Sequence, residues 1–189
     1  MSQVFNNYDD SIADPVIIKQ LVVKDALFLY YQCPQVDKQM HLFSHYNEIM
    51  FTLDGGRILH QGGKSWTLTK HSCILTRKTT YIQEMPESMT WSVLAFYFPD
   101  SFFKQVINEY HHDLPLKNLP QAPVDMLMEI HINESTRAFF YSILPYFKQK
   151  LPAPEGLLEL KFKELLFNIF LNPSNKYVLP HFQNTLPQY

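Results

Sequence analysis

The chain has 189 residues, 46% hydrophobic and 18% charged, which supplies enough apolar material for a packed core and excludes wholesale disorder. Its 16 Lys and Arg against 18 Asp and Glu leave a net charge of −2, without the basic excess of a free-standing nucleic-acid binder. No apolar run approaches the ~18 residues of a membrane helix, and the polar, acidic start from Met1 to Asp10 is unlike a signal peptide, so a cytoplasmic protein with no membrane partner is expected.

Cys33 and Cys73, the only cysteines, cannot build a disulfide framework or a four-cysteine metal site and are expected to be reduced and structural. The first half of the chain reads as strands. Leu21 to Tyr31 is rich in Val, Leu, Phe and Tyr and ends before Cys33-Pro34. Glu48 to Leu53 alternates, so that Ile49, Phe51 and Leu53 share one face. Gly55-Gly56 breaks that pattern. Arg57 to Gln61 and Ser65 to Thr69 flank Gly62-Gly63-Lys64, the signature of a tight hairpin whose glycines supply positive φ. Cys73 to Arg77, Tyr81 to Glu84 and Met89 to Phe98 complete a series of short strands, which points to an all-β sandwich or barrel.

Helical spacing takes over at Pro99. Asp100 is the expected N-cap, followed by Phe103, Val106, Ile107 and Tyr110 on one stripe. Leu114 to Pro123, with three prolines, reads as a loop. Phe140, Ile143, Leu144 and Phe147 return to helical spacing, and Pro145 must interrupt that helix. A last helix is predicted from Glu155 to Leu171, with Pro154 at its start and Asn172-Pro173 at its end. In it, Leu158, Phe162, Leu165 and Ile169 form a heptad-like seam widened by Leu166 and Phe170, and Glu159 precedes Lys163 by four residues. The tail beyond Ser174 shows no periodicity.

A β-rich half, then helices, then a seam-bearing helix resembles the regulatory half of AraC/XylS-type bacterial transcription regulators. The likeness is carried by HLFSHYNEIMFTLDGGRILHQGGKSWTLTKHSCILTRKTTYIQEM (His41 to Met85) and by LLELKFKELLFNIFLNP (Leu157 to Pro173). The resemblance implies a mainly β fold, a cupin-like jelly-roll barrel over residues 1–98, then a small α-helical dimerisation and linker region over 99–173. Residues 174–189 would lead into two helix-turn-helix motifs lying beyond Tyr189, so that any DNA contact belongs to a domain outside this chain. The seam Leu158, Phe162, Leu165, Ile169 is expected to pair two chains into a homodimer.

Enzymatic chemistry finds little purchase. Cupin enzymes hold a metal with an early His pair, a Glu and a later His; here His41, His45 and Glu48 are the candidates. His41 and His45 would lie ~13 Å apart on a continuous strand, and Tyr81 stands near the place of the later His, so no metal and no cofactor is expected. Ser44 and Ser72 lie in no nucleophile elbow, and Cys73 sits in an apolar strand without a basic patch. Gly62-Gly63-Lys64-Ser65 lacks the first glycine of a phosphate loop, and His111-His112-Asp113 reads as a solvated helix end. No catalytic residue is assigned. A barrel interior lined by aromatics is either filled or a pocket for a small apolar molecule. Candidate pocket residues are His45, Glu48, Trp66, Tyr81 and Trp91. The expected function is to sense a small-molecule effector or a regulatory protein; the alternatives are a metal-dependent cupin enzyme with an atypical site and a solid-core protein-interaction module.

Overall fold

The computed structural model describes residues 4–6, 9, 18–33, 37–86 and 90–185. Eleven described strands make two sheets. Strands β1 (Val4–Asn6), β4 (Gln39–Ser44), β9 (Thr79–Glu84), β6 (Arg57–Gln61) and β7 (Lys64–Leu68) lie in that order in a five-stranded sheet. Strands β11 (Leu127–Glu129), β8 (Cys73–Thr76), β5 (Asn47–Gly55), β10 (Trp91–Phe98), β3 (Ala26–Gln32) and β2 (Ile18–Val23) form a six-stranded sheet. All pairings are antiparallel except β1 with β4. The two sheets face each other as the expected cupin-like double-sheet barrel. Helices α1 (Asp100–Tyr110), α2 (Glu134–Ile143) and α3 (Glu155–Phe170) cover the outer face of the six-stranded sheet, giving three layers.

The central strands of that middle sheet are buried on both sides. Along β10, Trp91, Val93, Ala95 and Tyr97 enter the barrel, while Leu94, Phe96 and Phe98 face the helices. Along β3, Leu27, Leu29 and Tyr31 enter the barrel, and Ala26 and Phe28 face the helices. Ile49, Phe51 and Leu53 of β5 share the helix face, as the alternation predicts. Two-sided burial is why these strands read as nearly continuous apolar runs.

The sequence pattern is right about many turns and breaks. The Gly62-Gly63 hairpin forms, with both glycines at positive φ. Pro145 ends α2, and Leu144–Lys148 continues as 3-10 helix. Gly55-Gly56 is the corner at which the chain leaves one sheet for the other. Gly55 has φ +73°, and a Cβ there would stand 1.8 Å from the carbonyl oxygen of Thr90.

Several expectations are corrected. Leu21 to Tyr31 is a hairpin rather than one strand, turning at Lys24, whose φ is 51°. The stretch containing His41, His45 and Glu48 is likewise two strands, β4 and β5, with His45 in the turn between them. Asp100 is the first residue of α1, not its cap; Pro99 is the N-cap, and the Asp100 carboxylate instead accepts from Asn47 Nδ2 (2.8 Å) and Lys78 Nζ (2.7 Å). Asn133 caps α2, accepting from the Thr136 amide at 2.9 Å. The stretch beyond Ser174 is not a free tail: Val178, Leu179 and Phe182 are core residues. Met89, placed on a strand by the pattern, lies outside the described residues.

The corner glycine makes a sharp comparison possible. Gly55→Ala combines a backbone collision with a left-handed φ and is expected to cost more than ~3 kcal/mol in urea denaturation. Gly62→Ala meets nothing within 4 Å and carries only the φ penalty, so it is expected to cost about 1 kcal/mol.

Candidate functional site

The barrel interior was the candidate site, and its lining can be built strand by strand. From β5, even-numbered positions point inward and deliver Glu48, Met50 and Thr52. From β10 come Trp91 and Tyr97, from β9 Tyr81 and Gln83, from β3 Tyr31, and from β6 Arg57 and Leu59. Glu48 is fully buried. Its Oε2 accepts from the Tyr81 hydroxyl at 3.3 Å and from Thr76 Oγ1 at 3.5 Å. Tyr31, Tyr81 and Tyr97 all have hydroxyls held well above the usual tyrosine range. Burial is the main cause in each, and the nearby Glu48 carboxyl adds to it.

Arg57 is the second buried charge. Its Nη1 donates to the Gly56 carbonyl at 2.8 Å, and its guanidinium lies 5.7 Å from the centre of the Trp91 ring, within cation–π range. Trp91 Nε1 donates to Thr52 Oγ1 at 3.0 Å. Glu48 is thus engaged by Tyr81 and Thr76, and Arg57 by the Gly56 carbonyl and the Trp91 ring. Leucines 27, 29, 42, 59 and 68 fill around them, none more than 4% exposed. The chemistry this arrangement supports is packing and mutual solvation of polar groups.

Of the five candidate pocket residues, four are brought together. Glu48, Tyr81 and Trp91 are buried in the barrel, and Trp66 packs against the same cluster. His45 is not with them: it is exposed in the β4–β5 turn, its ring 4.7 Å from Tyr46 and its Nδ1 3.4 Å from Asn6 Nδ2. His41 lies on the outer side of β4, because its neighbour Leu42 enters the barrel. The would-be ligands His41, His45 and Glu48 therefore face three directions. Among the described residues, no group of three or more His, Cys, Asp or Glu is placed to hold a metal ion. Cys73 is buried, and burial pushes its thiol far up, away from nucleophilic character. His111 and His112 follow α1 with their rings 3.8 Å apart, beside a surface hollow of about 880 Å³ that also involves Leu114, Leu116 and Lys117.

The seam of α3 is corrected by its environment. Leu158, Phe162, Leu165 and Ile169 are 3%, 0%, 0% and 1% exposed within a single chain. Phe162 sits among Phe28, Phe96, Phe98 and Phe102, at centroid distances of 4.9, 6.2, 5.5 and 4.6 Å. Leu166 and Phe170 are buried as well. The seam is core, consumed by the six-stranded sheet, α1 and α2. The apolar side chains α3 leaves outside are Leu157 and Leu160, with Leu171 just past its end.

Arg57 and Tyr31 join the interior without having been candidates, and Tyr97 is one of the strand aromatics that face inward. Arg57 carried a usable signal: it stands two residues before Leu59 on one strand, so both occupy the same face.

Comparison with known proteins follows the same lines. The family described as the ExsA N-terminal regulatory domain, of AraC-family regulators, matches residues 47–181. The chain belongs to this family. Among solved structures, apo ToxT K231A from Vibrio cholerae strain SCE256 is similar at 17% identity and a TM-score of 0.59, over 84% of this chain and 59% of that one. Unsaturated fatty acid bound wild-type ToxT from the same strain is similar at 17% identity and a TM-score of 0.55, over 77% and 55%. ToxT from Vibrio cholerae O395 bound to (E)-4-(8-methylnaphthalen-1-yl)but-3-enoic acid is similar at 15% identity and a TM-score of 0.51, over 77% and 57%. At these identities the likeness is one of fold. The chain spans less than two thirds of the length of the ToxT chains it resembles. No curated protein matches the sequence. No described helix is long and apolar enough to cross a membrane.

The buried Glu48–Tyr81 contact gives a direct test of an interlocked interior. Tyr81→Phe removes one donor from a fully buried carboxyl group and is expected to cost about 1–3 kcal/mol in urea denaturation, with an unchanged m-value.

Proposed function

We propose that this regulatory domain controls a DNA-binding unit carried elsewhere in a longer cytoplasmic regulator, and that its signal is a partner protein received on its surface. The observation that carries the reading is the filled barrel: Glu48, Arg57 and Trp91, each at most 1% exposed, occupy the space in which an effector would sit. A solid barrel is suited to present surfaces. The runner-up is a small apolar effector, favoured by the solved ToxT structure bound to an unsaturated fatty acid. Thermal denaturation of the purified chain with an unsaturated fatty acid separates the two. No saturable rise in Tm is expected; a rise that saturates with concentration overturns the partner reading in favour of the effector.

Dimerisation belongs to the same proposal, moved from the inner seam to the outer stripe of α3. Leu157, Leu160 and Leu171 are 38%, 62% and 52% exposed, and Phe167, at helical spacing between them, is half-buried. Two chains joined there would present paired DNA-binding units to two half-sites. Leu160→Asp is expected to give a folded monomer by sedimentation, because the side chain leaves no core void. Leu165→Asp, which buries an unpaired charge, is expected to unfold the chain. A dimer undisturbed by Leu160→Asp places the interface elsewhere. In the full-length regulator, deletion of residues 1–182 is expected to weaken binding to promoter DNA and abolish dimerisation; unchanged affinity and oligomeric state overturn the regulatory reading itself.

A further inference from the structure

After α3 the chain crosses back over one end of the molecule, through a 3-10 turn at Pro173–Asn175 and a second from Leu179. The stretch 177–182 acts as a strap. Its Val178, Leu179 and Phe182 side chains are buried, and the Phe182 ring stacks on Phe103 at 3.8 Å with 17° between planes. Phe98 lies 6.4 Å from the same ring.

The Tyr177 hydroxyl ties the start of the strap to the Glu129 carbonyl of β11, and Arg77 holds its other end. Arg77, between β8 and β9, donates from Nη1 to the His181 carbonyl at 2.7 Å, and its guanidinium stands 4.0 Å over the Phe182 ring. Its Nη2 lies 3.6 Å from Asp100 Oδ1, which Asn47 and Lys78 also engage. Among the described residues, three buried polar atoms at this corner have no hydrogen-bond partner: Arg77 Nε, His181 Nε2 and Asn47 Oδ1. Such a cluster departs from the rule that buried polar atoms are paired.

We propose that His181 makes the strap a proton-operated latch, docked on Arg77 while its imidazole is neutral and released when the imidazole is protonated, uncovering Phe98 and Phe103. The physical reason is local. An imidazolium carries N–H on both ring nitrogens, and here Nε2 is buried without an acceptor beside a guanidinium. The charged groups facing His181 are Arg77, from the β8–β9 corner, and Asp125, from the loop before β11; Asp100 and Lys78 stand behind Arg77. Burial, reinforced by Arg77 and only partly opposed by Asp125, holds the imidazole below its ordinary 6.5. The docked state therefore binds fewer protons than the released one. Its stability is fully present above about pH 6.5 and is lost as pH falls toward the depressed value. The latch does not depend on what signal the domain receives.

Amide hydrogen exchange on the purified chain tests this, read as protection factors so that intrinsic pH effects cancel. Opening at Val178, Leu179 and Phe182 is expected to rise about tenfold per pH unit below about 6.5, while Leu94 and Ala95 in β10 keep their protection. His181→Gln, which cannot titrate, is expected to show flat protection of the strap between pH 7.5 and 5.5. Arg77→Met is expected to lose strap protection at both pH values with β10 still protected. A wild-type strap whose protection does not change with pH overturns the latch. So does a His181→Gln strap with the wild-type pH dependence, or strap and β10 opening together in every variant.

Discussion

The fold depends on a six-stranded sheet whose central strands have no face for water. Each of β3, β5, β8 and β10 sends one set of side chains into the barrel and the other toward the helices. Such a sheet is stable only between two covers. The five-stranded sheet supplies one, and α1, α2 and α3 supply the other. The helical side is joined by rings. Phe28 meets Phe96 edge-on at 4.7 Å and Phe162 edge-on at 4.9 Å, and Phe51 stacks on Phe140 at 4.1 Å. Contacts of this kind contribute roughly 0.5–1.5 kcal/mol each beyond area burial. They also explain the fate of the α3 seam: Phe162 and its neighbours complete the cover, and nothing of them is left for a second chain.

The other cover encloses charge. Glu48 and Arg57 are both buried in the barrel, and buried charges are costly unless engaged. Tyr81 and Thr76 hydrogen-bond Glu48, while the Gly56 carbonyl and the face of Trp91 engage Arg57. Such contacts favour one arrangement of the interior. The proposed surface reading rests on this packing of charge and aromatic rings in the interior.

Where one property decides structure, the sequence was readable. Period-two spacing placed Ile49, Phe51 and Leu53 on one face, the double glycine placed the β6–β7 hairpin, and Pro145 ended α2. Where structure depends on what lies opposite, it was not. The spacing of Leu158, Phe162, Leu165 and Ile169 marks an apolar stripe, and a stripe does not say whose surface covers it. Strand β11 is three residues long, too short for any period to show. Val178, Leu179 and Phe182 follow no helix or strand repeat, so a core segment read as a tail. The cupin-like pattern of an early His pair and a Glu groups His45 with Glu48, yet His45 lies in the turn between β4 and β5 while Glu48 enters the barrel.

The direction of α3 is fixed at its polar edge. Lys163 donates to Glu109 of α1 at 2.7 Å and lies 3.0 Å from Glu159 of its own helix, and Glu159 is 2.9 Å from Lys24 in the β2–β3 turn. Hydrogen bonds from Lys163 and Lys24 hold the Glu109 and Glu159 carboxyls below the usual range. Ion pairs this close to solvent contribute little stability. Their geometry matters more, because the chain of charges joins α1, α3 and the edge of the middle sheet, and so sets the rotation of α3 about its axis. With the phenylalanine face turned inward and Lys163 pinned at its margin, Leu157 and Leu160 are left facing outward. The same contacts that complete the core therefore determine which surface the domain presents.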